Sequence, residues 1–179
     1  GHKVSGIIGC GMRCKYGYPQ AFAYDPLTRA PWIINGVQLP RKSKVESGLF
    51  RLSCPRLVKA VDEWEAEGAV ASLNNEIRRS GRHATTHDGL GAVAGEQEGL
   101  PHDSLAAKLE RAHEEHSAAR KELVRDRLPA VLAEMSEEEH TLATRILDSG
   151  IAGQTRSKID LKCVHAQLAD HLCRSQSNG

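Results

Sequence analysis

The sequence lacks long apolar runs and a strong charge of either sign, and only 4% of its 179 residues are aromatic. A helix needs about 20 consecutive apolar residues to cross a bilayer, so we expect no membrane span. The 24 basic and 23 acidic residues leave a net charge of +1. This balance argues against nucleic acid or a membrane surface as the partner. We also expect no signal peptide, because residues 3–14 are glycine-rich and weakly apolar.

The length and composition predict one domain, residues 1–179, with an aliphatic core built from the 40% of residues that are apolar. Short runs punctuated by glycine and proline indicate mainly strands and turns over residues 1–54. Helical spacing of apolar residues predicts a helix over 55–78 and a helical region over 103–174. Residues 79–102 are glycine-rich and have no period, so we expect a loop or an insertion there.

Local signals mark where helices begin and break. Pro55 suits the first position of a helix, with Ser53 or Cys54 before it as the cap. Ser136 and the glutamate three residues later form a capping-box pattern. Gly68 is expected to weaken or split the first helix. The predicted fold class is α+β, with a small antiparallel sheet at the amino-terminal end packed against about four helices.

The five cysteines are an odd number, which does not fit the paired disulfides of a small secreted scaffold. We therefore expect a reducing compartment, the cytoplasm or the interior of an organelle. Thiols that stay reduced there serve as metal ligands or reactive groups, or they pack as small apolar residues.

A zinc site is the leading interpretation of these cysteines. Zinc takes four ligands, commonly thiolates and imidazoles, in a tetrahedron. Cys14, Cys54 and Cys163 with His165, or with His113 in its place, could supply them if three segments meet. Cys163 and His165 point about 200° apart if both lie in a regular helix, so either one of them lies at a frayed first turn or only one of them is a ligand. Otherwise Cys163 packs in the core and His165 bonds a carbonyl.

Thiol chemistry is a second interpretation. A cysteine near a helix amino terminus has a lowered pKa, because the helix dipole favours the thiolate. Cys54 and Cys163 both lie near predicted helix starts, and His165 or His113 is the candidate base. No flanking motif matches a protease or redox signature, so the sequence does not disclose a reaction.

An anion-binding segment is predicted at residues 150–158. Gly150 and Gly153 allow close backbone approach, and Arg156 and Lys158 supply positive charge ahead of a predicted helix. Lys162 belongs to the same predicted set. The alternative is an ordinary connection between helices with a glycine stop.

Several motifs occur together along the chain: Arg13-Cys14 with Gly17-Tyr18-Pro19, Phe50-Arg51-Leu52-Ser53-Cys54-Pro55-Arg56-Leu57, Trp64-Glu65 with Gly68, Ala112-His113-Glu114 with Arg120, Gly150-Ile151-Ala152-Gly153, and Lys162-Cys163-Val164-His165-Ala166. Together they resemble the motifs of an uncharacterised, mainly bacterial family, the domain of unknown function numbered five hundred and one. The segment 162–166 is the most specific part, and the resemblance covers most of the chain.

The resemblance implies no established activity. The recurring residues of the family match Cys14, Cys54, Glu65, His113, Arg120, Lys162, Cys163 and His165. The candidates for catalysis are Cys163, His165, His113, Glu65 and Arg120. The Asn-Pro-x-Gly ending of the family is not matched at residues 177–179.

The sequence therefore favours a zinc-binding domain of unknown activity with a site built from both ends of the chain. A small anion held by residues 150–158 would be its ligand. One alternative is an interaction or assembly module without catalysis. The other is a thiol-dependent enzyme that uses Cys163 with a histidine base.

Overall fold

The structure is a computed structural model that describes residues 6–27, 32–34, 37–39, 44–82, 104–155 and 159–175. Most of the predicted loop at 79–102 lies outside the described residues, and residues 79–82 belong to a helix. The predicted cations Arg156 and Lys158 and the chain end at 177–179 also lie outside them.

Short antiparallel strands form the amino-terminal part of the fold. The strands are β1 (Ile7–Cys10), β2 (Ala21–Tyr24), β3 (Trp32–Ile34), β4 (Val37–Leu39) and β5 (Phe50–Leu52). One antiparallel sheet has the order β1–β2–β5, with Phe22 of β2 opposite both Cys10 and Arg51. β3 and β4 pair separately as an antiparallel ladder.

Six α-helices follow in the described chain. They are α1 (Pro55–Ala66), α2 (Ala69–Arg82), α3 (Leu105–Val124), α4 (Leu128–Leu132), α5 (Glu137–Asp148) and α6 (Val164–Arg174), with a 3₁₀ turn at Ile151–Gly153 before α6. These elements and the small sheet confirm the α+β class. None of the described helices is long and apolar enough to cross a bilayer.

The described residues contain six α-helices where about four were expected, and local chemistry explains part of the difference. Gly68 has φ +92°, a left-handed conformation that favours glycine, and it divides the predicted helix at 55–78 into α1 and α2. Pro129 lies in the first turn of the five-residue helix α4, where its missing N–H costs no helical hydrogen bond. Ser136 and Glu139 form the predicted capping box at the start of α5.

The larger core cluster is aliphatic, as the composition predicts. It consists of Ala21, Leu52, Val61, Ala69, Ile77, Ala106, Leu109, Leu161, Val164, Ala169 and Leu172. These residues come from the sheet, from α1, α2, α3 and α6, and from the segment before α6, so the sheet and the helices share one apolar interior. A second cluster around Val124 and Leu147 joins α3 to α5.

Helix α6 crosses the sheet and is fixed at its carboxyl end by the chain that follows β1. It packs against β5, β2 and α1. The N–H of Met12 donates to the carbonyl oxygen of Leu172 at 2.9 Å. A Cβ atom at Gly11 would lie only 2.6 Å from that carbonyl oxygen, so this contact requires glycine. The close approach fixes the position of α6 relative to the sheet.

We expect Gly11→Ala to lower the free energy of unfolding by about 2 kcal/mol, because the new methyl group would force the two backbones apart. Gly9→Ala is the matched control, since its Cβ would meet only Ala23 at an ordinary 3.7 Å. Urea denaturation followed by circular dichroism measures both. Equal stability of the two variants would contradict the close approach of the chain to α6.

Candidate metal centre

Three metal-ligating side chains meet where the end of α1 faces the start of α6. Glu65, Cys163 and His165 each offer one ligand atom, and these atoms all lie within 4.8 Å of one another. Glu65 is the second-last residue of α1, Cys163 is the cap residue of α6, and His165 is the second residue of that helix. Among the described residues this is the one group of three or more metal-ligating side chains at such distances.

Cys163 and His165 can face one site because Cys163 is not helical. Its backbone is extended, with φ −156° and ψ 123°, whereas His165 already lies in the first turn of α6. The rule that helix positions two apart point about 200° away from each other therefore does not apply to this pair. The extended backbone at Cys163 is the irregular helix start that is needed if both residues are to face one site.

Glu65 supplies the cap that α6 lacks from its own sequence. Cys163 makes no side-chain cap hydrogen bond. Instead, Glu65 Oε1 accepts the N–H of Val164 at 2.5 Å and the N–H of His165 at 3.4 Å. These N–H groups have no partner within the helix, because no preceding helical turn supplies carbonyl groups to the first turn. The same carboxylate therefore holds the helix start and forms one wall of the site.

The imidazole of His165 lies between two carboxylates of α1. Its Nδ1 is 3.3 Å from Glu65 Oε2, and its Nε2 is 3.2 Å from Asp62 Oδ1. Asp62 and Glu65 are three residues apart, so they lie on the same face of α1. These two contacts orient the ring, with Nδ1 towards Glu65 and Nε2 towards Asp62.

The electrostatics of the site distinguish the carboxylate from the thiol. Burial would raise the pKa of Glu65, but the N–H of Val164 and the nearby His165 together hold it below its usual value. Burial raises the pKa of the Cys163 thiol, a backbone N–H at Ala166 opposes this, and the Glu65 carboxylate raises it further. A thiol with a raised pKa is a poor nucleophile without a metal, which weighs against the thiol-enzyme interpretation.

The structure does not bring Cys14 and Cys54 to this group. Both line a different cavity, near the start of α1. Cys54 precedes Glu65 by eleven residues, which corresponds to about 16 Å along a helix. The predicted ligand set therefore divides into Cys163 and His165 at one end of α1 and Cys14 and Cys54 at the other. All five cysteines are free thiols.

His113 is buried and serves as an anchor. Its side chain is 3% exposed, and its Nδ1 accepts the N–H of Ile151 at 3.0 Å. Burial lowers its pKa, and the nearby backbone of Asp160 acts in the opposite direction. Because Nδ1 accepts a hydrogen bond, the neutral ring carries its proton on Nε2, which is buried without a hydrogen-bond partner among the described residues. Gly150 packs so tightly on this ring that a Cβ atom would lie 2.6 Å from Nδ1. His113 therefore fixes the turn that follows α5.

Arg120 is fully buried and bonds to carbonyl groups. Its Nη1 donates to the carbonyl oxygens of Ile146 at 2.6 Å and Ser149 at 2.7 Å, and its Nη2 donates to that of Ser47 at 2.7 Å. Burial lowers its pKa to about 10, so it remains charged at neutral pH. A cation at the carboxyl end of α5 also interacts favourably with the helix dipole. Arg120 joins α3, α5 and the chain before β5.

A buried hydrogen bond joins α3 to α6. His116 Nδ1 lies 2.7 Å from Asp170 Oδ1, and both side chains are almost completely buried. Arg174 donates to the other carboxylate oxygen of Asp170 and also pairs with Glu115. These residues hold the middle of α6 against α3 and place its first turn beside α1.

The backbone groups of the predicted anion-binding segment are engaged in its own turn. The N–H of Gly150 donates to the carbonyl oxygen of Gln154 at 2.8 Å, and the N–H of Gly153 donates to that of Gly150 at 3.1 Å. Lys162 Nζ donates to the carbonyl oxygen of Gly153 at 3.0 Å. These donors stabilise the turn instead of pointing towards a ligand.

A cavity of about 730 Å³ lies beside this turn. Gly150, Lys121 and Arg145 are among the residues that line it. Lys121 pairs with Asp148 at 2.6 Å across the wall of the cavity. Anion binding by residues 150–158 stays a prediction, because the cations at 156 and 158 lie outside the described residues.

The contact between Asp62 and His165 was not predicted from the sequence. The signal available was the spacing of three residues between Asp62 and Glu65, which places two carboxylates on one face of a predicted helix. That spacing alone does not say which element faces the pair. The packing of α6 against α1 supplies this information, and local sequence patterns do not contain it.

Comparison with family models assigns the chain to a family. The model described as "Protein of unknown function (DUF501)" matches residues 10–97 and 89–179, so the chain belongs to this family. The match confirms the resemblance found in the motifs. No curated protein matches the chain, and no solved structure matches it.

We expect Arg120→Met to lower the free energy of unfolding by about 3 kcal/mol, because buried carbonyl groups would lose their donors. Arg125→Met is the control, since Arg125 is exposed just after α3 and, among the described residues, forms an ion pair only with Glu122. Thermal unfolding at neutral pH measures both variants. Equal stability of Arg120→Met and Arg125→Met would contradict a stabilising role of the hydrogen bonds that Arg120 makes to α5 and to the chain before β5.

Proposed function

We propose that this protein is a zinc-binding domain whose metal site is formed by Glu65, Cys163 and His165. The observation that carries the proposal is the convergence of a carboxylate, a thiol and an imidazole within 4.8 Å. These are the three ligand types that zinc takes in proteins. Membership of the family supplies no activity, so the proposal names a metal and leaves the reaction open.

The spacing of the donor atoms supports zinc. Zinc lies about 2.0–2.1 Å from nitrogen and oxygen ligands, so two such ligands in a tetrahedral site are about 3.4 Å apart. The observed distance between His165 Nδ1 and Glu65 Oε2 is 3.3 Å. An ion between these two atoms therefore requires little movement of either side chain. Cys163 would bind as the thiolate after losing its proton to solvent.

Asp62 has the position of an outer partner of the histidine ligand. A histidine that binds a metal through one ring nitrogen usually donates the other N–H to a carboxylate, which fixes the tautomer. With the metal on Nδ1 of His165, the Nε2 proton would point to Asp62 Oδ1, 3.2 Å away. Glu65 is supported in the same way, because its Oε1 accepts two N–H groups of α6.

Three protein ligands leave a fourth position for water or another ligand. Open positions of this kind are typical of catalytic zinc sites, whereas structural sites are closed by four protein ligands. Zinc bound here would polarise a water molecule or a carbonyl group in that position. The side chains of His165 and Glu65 are 23% and 26% exposed, which gives an ion access. A reducing compartment, the cytoplasm or an organelle interior, would keep Cys163 available as a ligand.

We expect the protein purified without added metal to contain about one zinc ion per chain, and Cys163→Ala and His165→Ala to lose most of it. Elemental analysis by mass spectrometry measures the content, and circular dichroism confirms that each variant is folded. Cys54→Ala is the matched control, because Cys54 caps α1 as Cys163 caps α6, without a side-chain cap hydrogen bond. Zinc-free wild-type protein that takes up none on incubation would contradict the proposal, as would equal loss in Cys54→Ala.

We expect Asp62→Ala to weaken zinc binding by about tenfold, because the imidazole would lose the carboxylate that orients it. Competition with a chromogenic chelator measures the affinity. Glu63→Ala is the control: Glu63 is an exposed carboxylate on the next position of α1, and it pairs with Lys59. An equal effect of the two substitutions would mean that only the charge of the helix matters and that Asp62 has no orienting role.

A further inference from the structure

A second site candidate lies at the opposite end of α1 from the metal centre. A cavity of about 690 Å³ opens between the chain that connects β1 to β2 and the first turn of α1. This volume is within the range of small-molecule sites, about 300–1,000 Å³. Leu57 in its wall precedes Glu65 by eight residues, which is about 12 Å along the helix. The cavity is therefore separate from the proposed zinc site.

The wall of the cavity is rich in aromatic and apolar side chains. Tyr16, Tyr18 and Phe22 line it, although the whole chain has only seven aromatic residues. Pro19 and Leu57 add aliphatic surface. The two tyrosines are 64% and 71% exposed, so most of their surface faces solvent. Exposed aromatic surface around a cavity is typical of binding sites.

The charged residues in this wall are all basic. Lys15 and Arg56 line the cavity, and no aspartate or glutamate of the described chain does. Arg56 is exposed and makes no ion pair with any described residue. Lys15 lies over the ring of Tyr16, with Nζ 5.0 Å from the ring centre. In a protein with a net charge of only +1, this local excess of positive charge favours an anion.

We propose that this cavity binds a small amphipathic anion, an aromatic or short acyl group that carries a carboxylate, sulfonate or phosphate. The apolar body would lie against Phe22 and Leu57, where burial of apolar surface supplies the main driving force. The anionic group would lie at the rim beside Lys15 and Arg56. This ligand combines the two properties of the wall, whereas an inorganic anion would leave the apolar surface exposed.

Two thiols in the wall allow ligand binding in the cavity to be detected by chemical labelling. Cys14 and Cys54 both line the cavity, whereas Cys10 is exposed on β1 and does not. Backbone N–H groups around Cys14, that of Tyr16 first among them, lower the pKa of its thiol. Cys14 should therefore react with maleimides near neutral pH. A ligand in the cavity would shield Cys14 and Cys54 and leave Cys10 accessible.

The probe for this test is 8-anilinonaphthalene-1-sulfonate, an aromatic body with one sulfonate, titrated by fluorescence into the folded full chain. We expect saturable binding that Arg56→Glu weakens about five- to tenfold, because one attraction is replaced by a repulsion. Lys59→Glu is the matched control, since Lys59 is an exposed cation of α1 outside the cavity wall. The neutral analogue N-phenyl-1-naphthylamine should bind more weakly than the sulfonate.

Site-specific labelling locates the bound probe. With saturating sulfonate, mass spectrometry should show N-ethylmaleimide reacting at least about fivefold more slowly with Cys14 and Cys54. Its reaction with Cys10 should stay unchanged. The proposal is overturned if binding is not saturable, if Lys59→Glu weakens it as much as Arg56→Glu, if the neutral analogue binds equally well, or if Cys10 is shielded equally. None of these outcomes depends on whether the protein binds zinc at Glu65, Cys163 and His165.

Discussion

The arrangement of the site depends on the contact between the Glu65 carboxylate of α1 and the first turn of α6. Helix α6 begins at a cysteine that makes no cap hydrogen bond, so its first N–H groups need an acceptor from elsewhere. Glu65 Oε1 accepts them, and this brings Cys163 and His165 to the end of α1. Because the other carboxylate oxygen faces the imidazole, one side chain both begins the helix and completes the group of metal-ligating atoms.

The direction of α6 explains why the cysteines do not converge on a single site. The carboxyl end of α6 is held by the backbone of Met12, next to β1, and its amino end lies at the end of α1. Cys14 is two residues after Met12, and Cys163 directly precedes Val164, whose N–H bonds to Glu65. The length of the helix therefore separates them. Cys54 is kept away by the length of α1, because it lies at the opposite end of that helix from Glu65.

Local signals were sufficient to predict much of the fold and little of the site. The proline at the start of α1, the capping box of α5 and the break at Gly68 act within a few residues, so the sequence contains them. The pairing of Glu65 with α6 joins residues about a hundred positions apart. Cys163 and His165 could be named as candidates, but the loss of Cys54 from the set follows only from the way in which the helices pack.

Five of the residues that the motif resemblance singles out fall into two groups with different surroundings. His113 and Arg120 are 3% and 0% exposed, and their polar atoms bond to the backbone around the end of α5. His113 lines the cavity beside the turn that follows α5, but these hydrogen bonds hold both side chains in place, so both have a packing role. Glu65, Cys163 and His165 are only partly buried, and their metal-ligating atoms converge. Their chemical groups and their partial exposure are the reason why the proposed metal site is built on this second set.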